Sequence, residues 1–186
     1  MSEPAGQGGP APIEPDTKDW TWVLGRVCPE CGFDASAVDP RALGQAVRAT
    51  VPRWTAALAR PDVRVRPARD VWSPLEYGAH VRDVLRVFDE RLRLMLTQDD
   101  PLFADWDQDA AAVAHRYDLQ DPSVVSGELA AAAATIAADF DAVPGGAVPD
   151  AWSRPGRRSN GSVFTVASLG TYFLHDVLHH LHDVSA

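Results

Sequence analysis

Four of the six histidines lie within eight residues near the C-terminus, at spacings that suit a metal ion. On an α-helix, which turns about 100° and rises about 1.5 Å per residue, His175 and His179 leave the same face. His182 falls on nearly the same stripe, whereas His180 points about 100° away from His179. This spacing is typical of two ligands of one metal ion. A polar helix end with partly exposed histidines shows the same pattern, and both interpretations stay open.

A further histidine, His80, lies on the apolar stripe of a second predicted helix. That helix begins at the capping box Ser73-Pro74-Leu75-Glu76 and runs to about Leu96. Four-helix bundles build metal sites from inward side chains on facing helices. His80 with His175 and His179 is therefore a candidate three-histidine site, with a fourth position left for water or a substrate atom.

The only two cysteines, Cys28 and Cys31, form a tight turn that resembles half of a zinc knuckle. A structural zinc ion needs four ligands, so two more would have to come from elsewhere, for example His115 or His182. A redox dithiol and two thiols packed at a bend are the alternatives. Both cysteines cannot join all three candidate histidines on one zinc ion, because five ligands exceed the usual four.

Composition narrows the classes of function. The net charge of −9 disfavours nucleic acid as a partner, because phosphate contacts need a basic face. We find no run of about 18 apolar residues that would span a membrane and no signal-peptide pattern, so we expect a cytoplasmic protein. Two cysteines in 186 residues fit a reducing compartment. Together these features favour a small-molecule substrate.

The elements that must position these residues are helices. We predict a disordered, proline-rich leader over residues 1–18 and one domain over 19–186, which begins with an irregular N-terminal arm. Long helices are predicted over 41–59, with a kink or break at its internal proline, over 74–96, over 121–143 and over 165–185. A short helix is expected over 108–115, and no sheet, because no alternation of polar and apolar residues persists. The fold class is therefore an all-α four-helix bundle.

Two segments resemble known motifs. Trp72-Ser73-Pro74-Leu75-Glu76-Tyr77-Gly78-Ala79-His80 resembles the W-S-x-x-E-x-x-x-H segment of DinB/YfiT-like proteins, and His175-x-x-x-His179-His180 resembles their H-x-x-x-H-H segment. The resemblance extends from about Asp39 to Ser185. It implies an up-down-down-up four-helix bundle that binds a divalent metal, zinc or nickel, through His80, His175 and His179. The usual Gly-Gln after the paired histidines is absent, and the H-D-x-x-H-H-x-x-D form is closer to actinobacterial members.

The resemblance also implies a function. Parts of that family are thiol S-transferases or thiol-dependent isomerases that use a low-molecular-weight thiol such as mycothiol, and homodimers are common among them. A metal-bound thiol loses its proton and becomes a nucleophile at neutral pH. The expected function is therefore a metal-dependent enzyme for thiol transfer or thiol-dependent isomerisation or hydrolysis. The alternative is a non-catalytic metal- or ligand-binding stress protein, or a dimeric scaffold.

Several other side chains are candidates for supporting roles. A substrate carboxylate could be held by Arg82 or by the arginines of residues 154–158, although solvated surface charges are the simpler interpretation. Asp176 and Asp183 could orient an imidazole, but we expect Asp183 to be solvent-exposed. We expect His180 and His182 to lie outside the metal's ligand set. Trp106 and Trp152 could line a pocket, with ordinary packing as the simpler interpretation.

Overall fold

The computed structural model describes residue 13 and residues 18–146 and 150–185. Its helices are α1 (Leu43–Leu58), α2 (Pro74–Thr97), α3 (Gln108–Ala114), α4 (Pro122–Asp141) and α5 (Val166–Asp183). Two strands, β1 (Pro155–Arg157) and β2 (Val163–Thr165), pair antiparallel. The predicted disordered leader lies outside the described residues, apart from Ile13 and Lys18.

The four long helices form the predicted all-α bundle. Helix α4 packs against α1 and α2, and α5 packs against the same two helices. Their apolar faces meet in one core, whose largest fully buried side chains include Trp54, Leu85, Leu129, Ile136 and Phe173. The predicted limits of the four helices all agree with the observed limits to within two residues. The differences of two residues are at the start of α1 and at the ends of α4 and α5, where irregular turns replace the outermost residues.

Helix α2 starts where its sequence predicts. The Ser73 hydroxyl accepts the backbone N–H of Glu76, and the Glu76 carboxylate accepts the backbone N–H of Ser73 at 2.9 Å, which completes the capping box. Trp72 packs edge-to-face on Tyr77 at 5.5 Å between ring centroids. Arg66 forms an ion pair with the buried Glu76 carboxylate. These contacts fix the first turn of α2, from which His80 projects inward.

Two features of the long helices differ from simple expectation. Helix α1 continues through Pro52, whose side chain is exposed, so this proline does not break the helix into two.

Helix α4 is long and apolar enough to cross a membrane by length and composition alone. Many of its residues are alanine, and its large apolar side chains face the other helices (Val125, Leu129, Ile136 and Phe140), so it also fits the core helix of a bundle.

The expectation that the chain has no sheet was wrong in one place. Strands β1 and β2 form a two-stranded ribbon with Gly156 opposite Phe164, immediately before α5. Three-residue strands are too short to show a period-two pattern, and the buried Gly156 has no side chain to mark the inward face. The ribbon leads directly into Thr165, the N-cap of α5, and so sets where that helix begins.

The irregular N-terminal arm packs along α5. It contains a 3₁₀ turn at Trp20–Leu24, the turn that carries both cysteines and a second 3₁₀ turn at Ala35–Ala37. The first of these turns contacts α5, and Val23 and Cys28 are completely buried. The arm therefore brings the cysteine turn to the helix that carries the C-terminal histidines.

Candidate metal centres

Helix α5 carries two pairs of potential ligands, each with a spacing of four residues. His175 and His179 form one pair, and Asp176 and His180 form the other, one residue further along. Since consecutive residues differ by about 100° around the axis, the two pairs face different neighbours. Each pair belongs to a separate cluster of donor atoms in the structure.

The first cluster comprises His80, Asp176 and His180, with one donor atom from each residue within 4.8 Å of the others. The Asp176 Oδ1 atom lies 3.2 Å from His180 Nε2 and 3.7 Å from His80 Nε2. Neither ring nitrogen of His80 has a hydrogen-bond partner among the described residues, and Asp176 Oδ1 has none of acceptable geometry. Buried polar atoms without partners are uncommon in proteins, and here two of them, His80 Nε2 and Asp176 Oδ1, lie 3.7 Å apart.

The charges in this cluster are asymmetric. Burial lowers the pKa of His80 despite the nearby Asp176 carboxylate, which favours the neutral imidazole. Burial also opposes protonation of His180, but Asp176 and Asp183 outweigh it and raise the pKa of His180 to about 9. Although burial disfavours the charged carboxylate, His180 and His80 hold the pKa of Asp176 far below its ordinary value. In the absence of a cation, a proton shared with His180 balances the buried carboxylate.

The second cluster comprises Cys28, Cys31, His175 and His179, again with donor atoms within 4.8 Å of one another. The Cys28 Sγ atom lies 3.7 Å from His179 Nδ1. Burial and repulsion from His179 lower the pKa of His175 to about 4, so that imidazole is neutral at physiological pH. Burial raises the pKa of the Cys31 thiol to about 11, while the backbone N–H of Phe33 acts in the opposite direction.

The three sequence-predicted ligands are divided between the two clusters. His175 and His179 lie with the cysteines, whereas His80 lies with Asp176 and His180, and no cluster within the described part of the chain contains all three. That His80, His175 and His179 bind one ion stays a prediction. The two ligands suggested to complete the cysteine site do not approach it as donors: His115 is exposed near Asp83, and His182 is exposed at the end of α5.

Two residues of α5, His180 and Asp183, lie in environments that their spacing alone does not predict, and the expected solvent exposure of Asp183 was wrong. The structure shows that His180 is a member of a donor cluster, with its Nε2 atom toward Asp176. Asp183 is largely covered, and its Oδ2 atom lies 2.7 Å from His180 Nδ1, so it is not a solvated side chain. The i, i+4 spacing of Asp176 and His180 is visible in the sequence. A search for pairs of histidines does not find this pair, because one of its members is a carboxylate.

A cleft of about 340 Å³ opens onto the clusters. Its lining includes Asp176 and His180 together with Trp72, Tyr77 and Tyr172. His80 is completely buried behind them, in contact with the Trp72 and Trp106 rings at centroid distances of 5.2 and 5.6 Å. Of the two loop tryptophans proposed to line a pocket, Trp152 is buried against Phe140.

A second cleft of about 390 Å³ shares Asp176 and Tyr172 with the first, and Trp106 is part of its lining. Its wall includes Arg91 and Arg158. Arg91 is only 7% exposed, and no described carboxylate lies within ion-pair distance of its guanidinium. Burial and the neighbouring Arg158 lower the pKa of Arg91 to about 10, so it remains a cation at neutral pH.

The other arginine suggested for this role lies elsewhere. The guanidinium of Arg82 donates hydrogen bonds to the side-chain oxygens of Asp83, Gln120 and Glu128, at 2.9, 2.7 and 2.9 Å. Arg82 is not part of either cleft wall. Within residues 154–158, Arg154 donates to the backbone carbonyls of Met95 and Gln98, and Arg157 forms an ion pair with Asp100. Arg158 lines the cleft. Arg91 was missed because it lies on a predicted buried helix, where the sequence gives no indication that it lacks a carboxylate partner.

Comparisons with known proteins agree with this architecture. The chain resembles the solved structure titled "YfiT from Bacillus subtilis is a probable metal-dependent hydrolase with an unusual four-helix bundle topology", with a TM-score of 0.65 and 17% sequence identity. The match covers 78% of this chain and 82% of that one, and at this identity it establishes the fold. A search of curated proteins finds no match. The family model of the DinB superfamily matches residues 45–184, and the chain therefore belongs to the DinB superfamily.

Proposed function

We propose that this protein is a metal-dependent enzyme whose catalytic metal is held by His80, Asp176 and His180. The observation that carries the proposal is that one donor atom from each of the three residues lies within 4.8 Å of the others. The ring nitrogens of His80 and Asp176 Oδ1 are buried without hydrogen-bond partners among the described residues, and Asp176 and His180 line an open cleft. This ligand set differs from the three-histidine set expected from sequence, because His175 and His179 lie in the cluster with the cysteines.

The donor geometry fits a divalent cation. With metal–nitrogen and metal–oxygen bonds of about 2.0–2.1 Å, neighbouring ligand atoms in a tetrahedron are about 3.3 Å apart. The observed separations from Asp176 Oδ1 are 3.2 Å to His180 Nε2 and 3.7 Å to His80 Nε2. A cation would also give a partner to one of the two ring nitrogens of His80, both of which are buried and unpartnered among the described residues. Two imidazoles and a carboxylate suit zinc, nickel or iron(II).

Three protein ligands leave coordination positions open toward the cleft, which is the arrangement of a catalytic rather than a structural site. A divalent cation there would lower the pKa of a coordinated water or thiol and so supply a nucleophile near neutral pH. Asp183 accepts a hydrogen bond from His180 Nδ1, which directs His180 Nε2 into the site. Trp72 and Trp106 cover His80 and keep water from that side of the cluster.

The second cleft indicates the charge of the substrate. Arg91 offers a buried guanidinium with no described carboxylate partner, and Arg158 reinforces its positive charge. Asp176 lines both clefts, so the two clefts meet at the proposed metal centre. A molecule whose anionic group binds Arg91 in the second cleft can therefore also reach the metal. We therefore infer a small substrate with a carboxylate or a similar anion.

The reaction would be the attack of the activated nucleophile on an electrophilic carbon. With water as the nucleophile the enzyme is a hydrolase, the activity named for the Bacillus subtilis protein. With a low-molecular-weight thiol such as mycothiol it is a thiol S-transferase or a thiol-dependent isomerase. The open cleft beside the ligands favours catalysis over a purely metal-binding or scaffold role.

Metal analysis combined with turnover tests this proposal. We expect His80→Ala and Asp176→Asn each to lose about one equivalent of metal per chain. They should also lose hydrolysis of carboxylate-bearing esters, or transfer to mycothiol, whichever the wild type shows. His182→Ala is the matched control, since it removes an exposed histidine from the same helix. Retention of the full metal content by both variants would refute the assigned centre.

A further inference from the structure

We propose that Cys28, Cys31, His175 and His179 bind a second, structural zinc ion that fastens the N-terminal arm to α5. The four donor atoms come from two segments far apart in the chain, yet lie within 4.8 Å of one another. This site is separate from the proposed catalytic centre and shares no ligand with it. The inference therefore stands whether or not the protein is an enzyme.

The cysteine turn has the backbone of a zinc knuckle. Gly32 adopts a φ of 75°, a conformation that favours glycine, and its N–H donates to the Cys28 carbonyl at 2.9 Å. The Cys28 N–H in turn donates to the Phe33 carbonyl at 2.8 Å. These two bonds close the turn and place both sulfurs on the side that faces α5, within reach of one ion.

The distances and ligand types match zinc. For Zn–S and Zn–N bonds of about 2.3 and 2.0–2.1 Å, a tetrahedron separates sulfur and nitrogen by about 3.6 Å. Cys28 Sγ and His179 Nδ1 are 3.7 Å apart. His175 Nε2 is buried without a hydrogen-bond partner among the described residues, in a side chain that is only 3% exposed. A tetrahedral set of two sulfurs and two nitrogens is typical of zinc.

The surroundings of His179 support a ligand role. While Nδ1 faces Cys28, the opposite ring nitrogen, Nε2, lies 3.4 Å from Glu30 Oε2 and 3.8 Å from Asp183 Oδ1. A carboxylate near the far nitrogen of an imidazole is the usual companion of a metal-bound histidine, because it fixes the tautomer and increases ligand basicity. Glu30 belongs to the cysteine turn itself, so the turn supplies both ligands and this carboxylate.

The site is complete without a substrate. Four protein ligands fill the usual coordination of zinc, which leaves no position for a reacting molecule. Cys28 is fully buried, and an aromatic ring contacts each imidazole at the margin of the 340 Å³ cleft: the ring centroid of Trp20 lies 5.1 Å from that of His179, and the centroid of Phe33 lies 5.3 Å from that of His175. The role that follows is structural: the ion would add a covalent-like link to the apolar packing that already holds the arm against α5.

Cobalt substitution tests the proposal in the full-length protein. Because the chain contains only two cysteines, any thiolate-to-cobalt charge-transfer absorption must come from Cys28 or Cys31. We expect this absorption in the wild type and in His80→Ala, which lacks only the proposed catalytic centre. We expect it to be lost in Cys28→Ser and Cys31→Ser and to be weakened or shifted in His175→Ala. The control His182→Ala should keep both the absorption and the zinc content.

A second measurement avoids variants that fail to fold. Titration of the wild type with a mercurial thiol reagent should release zinc in proportion to the cysteines modified, and a zinc indicator reports the release. Absence of the charge-transfer band in the wild type would overturn the proposal, as would a Cys28–Cys31 disulfide or zinc release unrelated to thiol modification. Retention of the full metal content and turnover by His80→Ala, with this band intact, would instead count against the catalytic centre alone.

Discussion

Asp183 lies between the two clusters, and its replacement should affect them unequally. Its Oδ2 atom is 2.7 Å from His180 Nδ1, whereas its Oδ1 atom is 3.8 Å from His179 Nε2. The first contact is a charge-assisted hydrogen bond, and the second is too long for one. His179 also has Glu30 at 3.4 Å, so it keeps a carboxylate neighbour when Asp183 is lost.

The expected magnitudes follow from these contacts. Loss of the carboxylate behind a metal-bound histidine weakens binding by about 10- to 100-fold, or about 1.4–2.7 kcal/mol. We expect Asp183→Ala to approach the upper value at the His80–Asp176–His180 centre. Asp183→Asn should lie near the lower value, because it keeps an acceptor and loses the charge. At the cysteine cluster the loss should stay below about 1 kcal/mol, as for a weak, partly exposed charge pair.

Competition with a chelator of known affinity measures both centres in one cobalt-loaded sample. The thiolate charge-transfer band reports the cysteine cluster, and the remaining visible absorption reports the other centre. Glu30→Gln is the matched control, since it should weaken only the cysteine cluster. In the metal-free protein, Asp183→Asn weakens the charge-assisted hydrogen bond to His180 but removes an acidic side chain that opposes the helix dipole at the C-terminus. These two effects have opposite signs, so stability should change little. Equal losses at both centres, or a greater loss at the cysteine cluster, would refute this account.

Two further predictions concern the substrate and the bundle. Arg91→Met should raise KM for an anionic substrate by about 10- to 150-fold, the value of a charge-assisted hydrogen bond, with kcat nearly kept. Arg93→Met on the exposed face of the same helix should leave KM unchanged, and steady-state kinetics distinguishes the two. Gly44→Ala would place a Cβ atom 2.5 Å from the Ala137 carbonyl of α4 and should cost about 1–3 kcal/mol. Gly127→Ala has no neighbour within 4 Å and should stabilise by about 0.5–1 kcal/mol, as urea unfolding would show.

Most of the fold is encoded locally and could be predicted. The capping box at Ser73 and Glu76, the Trp72–Tyr77 contact and the Asp-Pro start of α4 act within four or five residues, so the sequence shows them directly. The short ribbon was missed because its pairing is stabilised by tertiary contacts. Gly156 approaches Phe103 and Met95 so closely that a Cβ atom there would lie 2.6–2.8 Å from their side chains.

The sequence indicates which residues are candidate donors, but not how they are divided between two clusters. A helical spacing of four identifies which side chains share a face, and His175 and His179 do share one. The spacing does not show which segment of the chain packs against that face. The N-terminal arm occupies that position, and its path from the cysteine turn to α5 has no periodic signal. His80 therefore meets the adjacent face, where Asp176 and His180 lie.

The one-residue offset between the pairs couples the two centres mechanically. A rotation of α5 that moves His175 and His179 away from the cysteines must also move Asp176 and His180 relative to His80, because all four belong to the same two turns. Four ligands at the proposed zinc site would thus fix the rotation of α5, and the capping box at Thr165 and Ser168 fixes its start. The catalytic centre that we propose is open and has only three protein ligands. Its geometry then depends on the closed centre beside it, which is a physical reason for a protein with a small open metal site to carry a second, complete one.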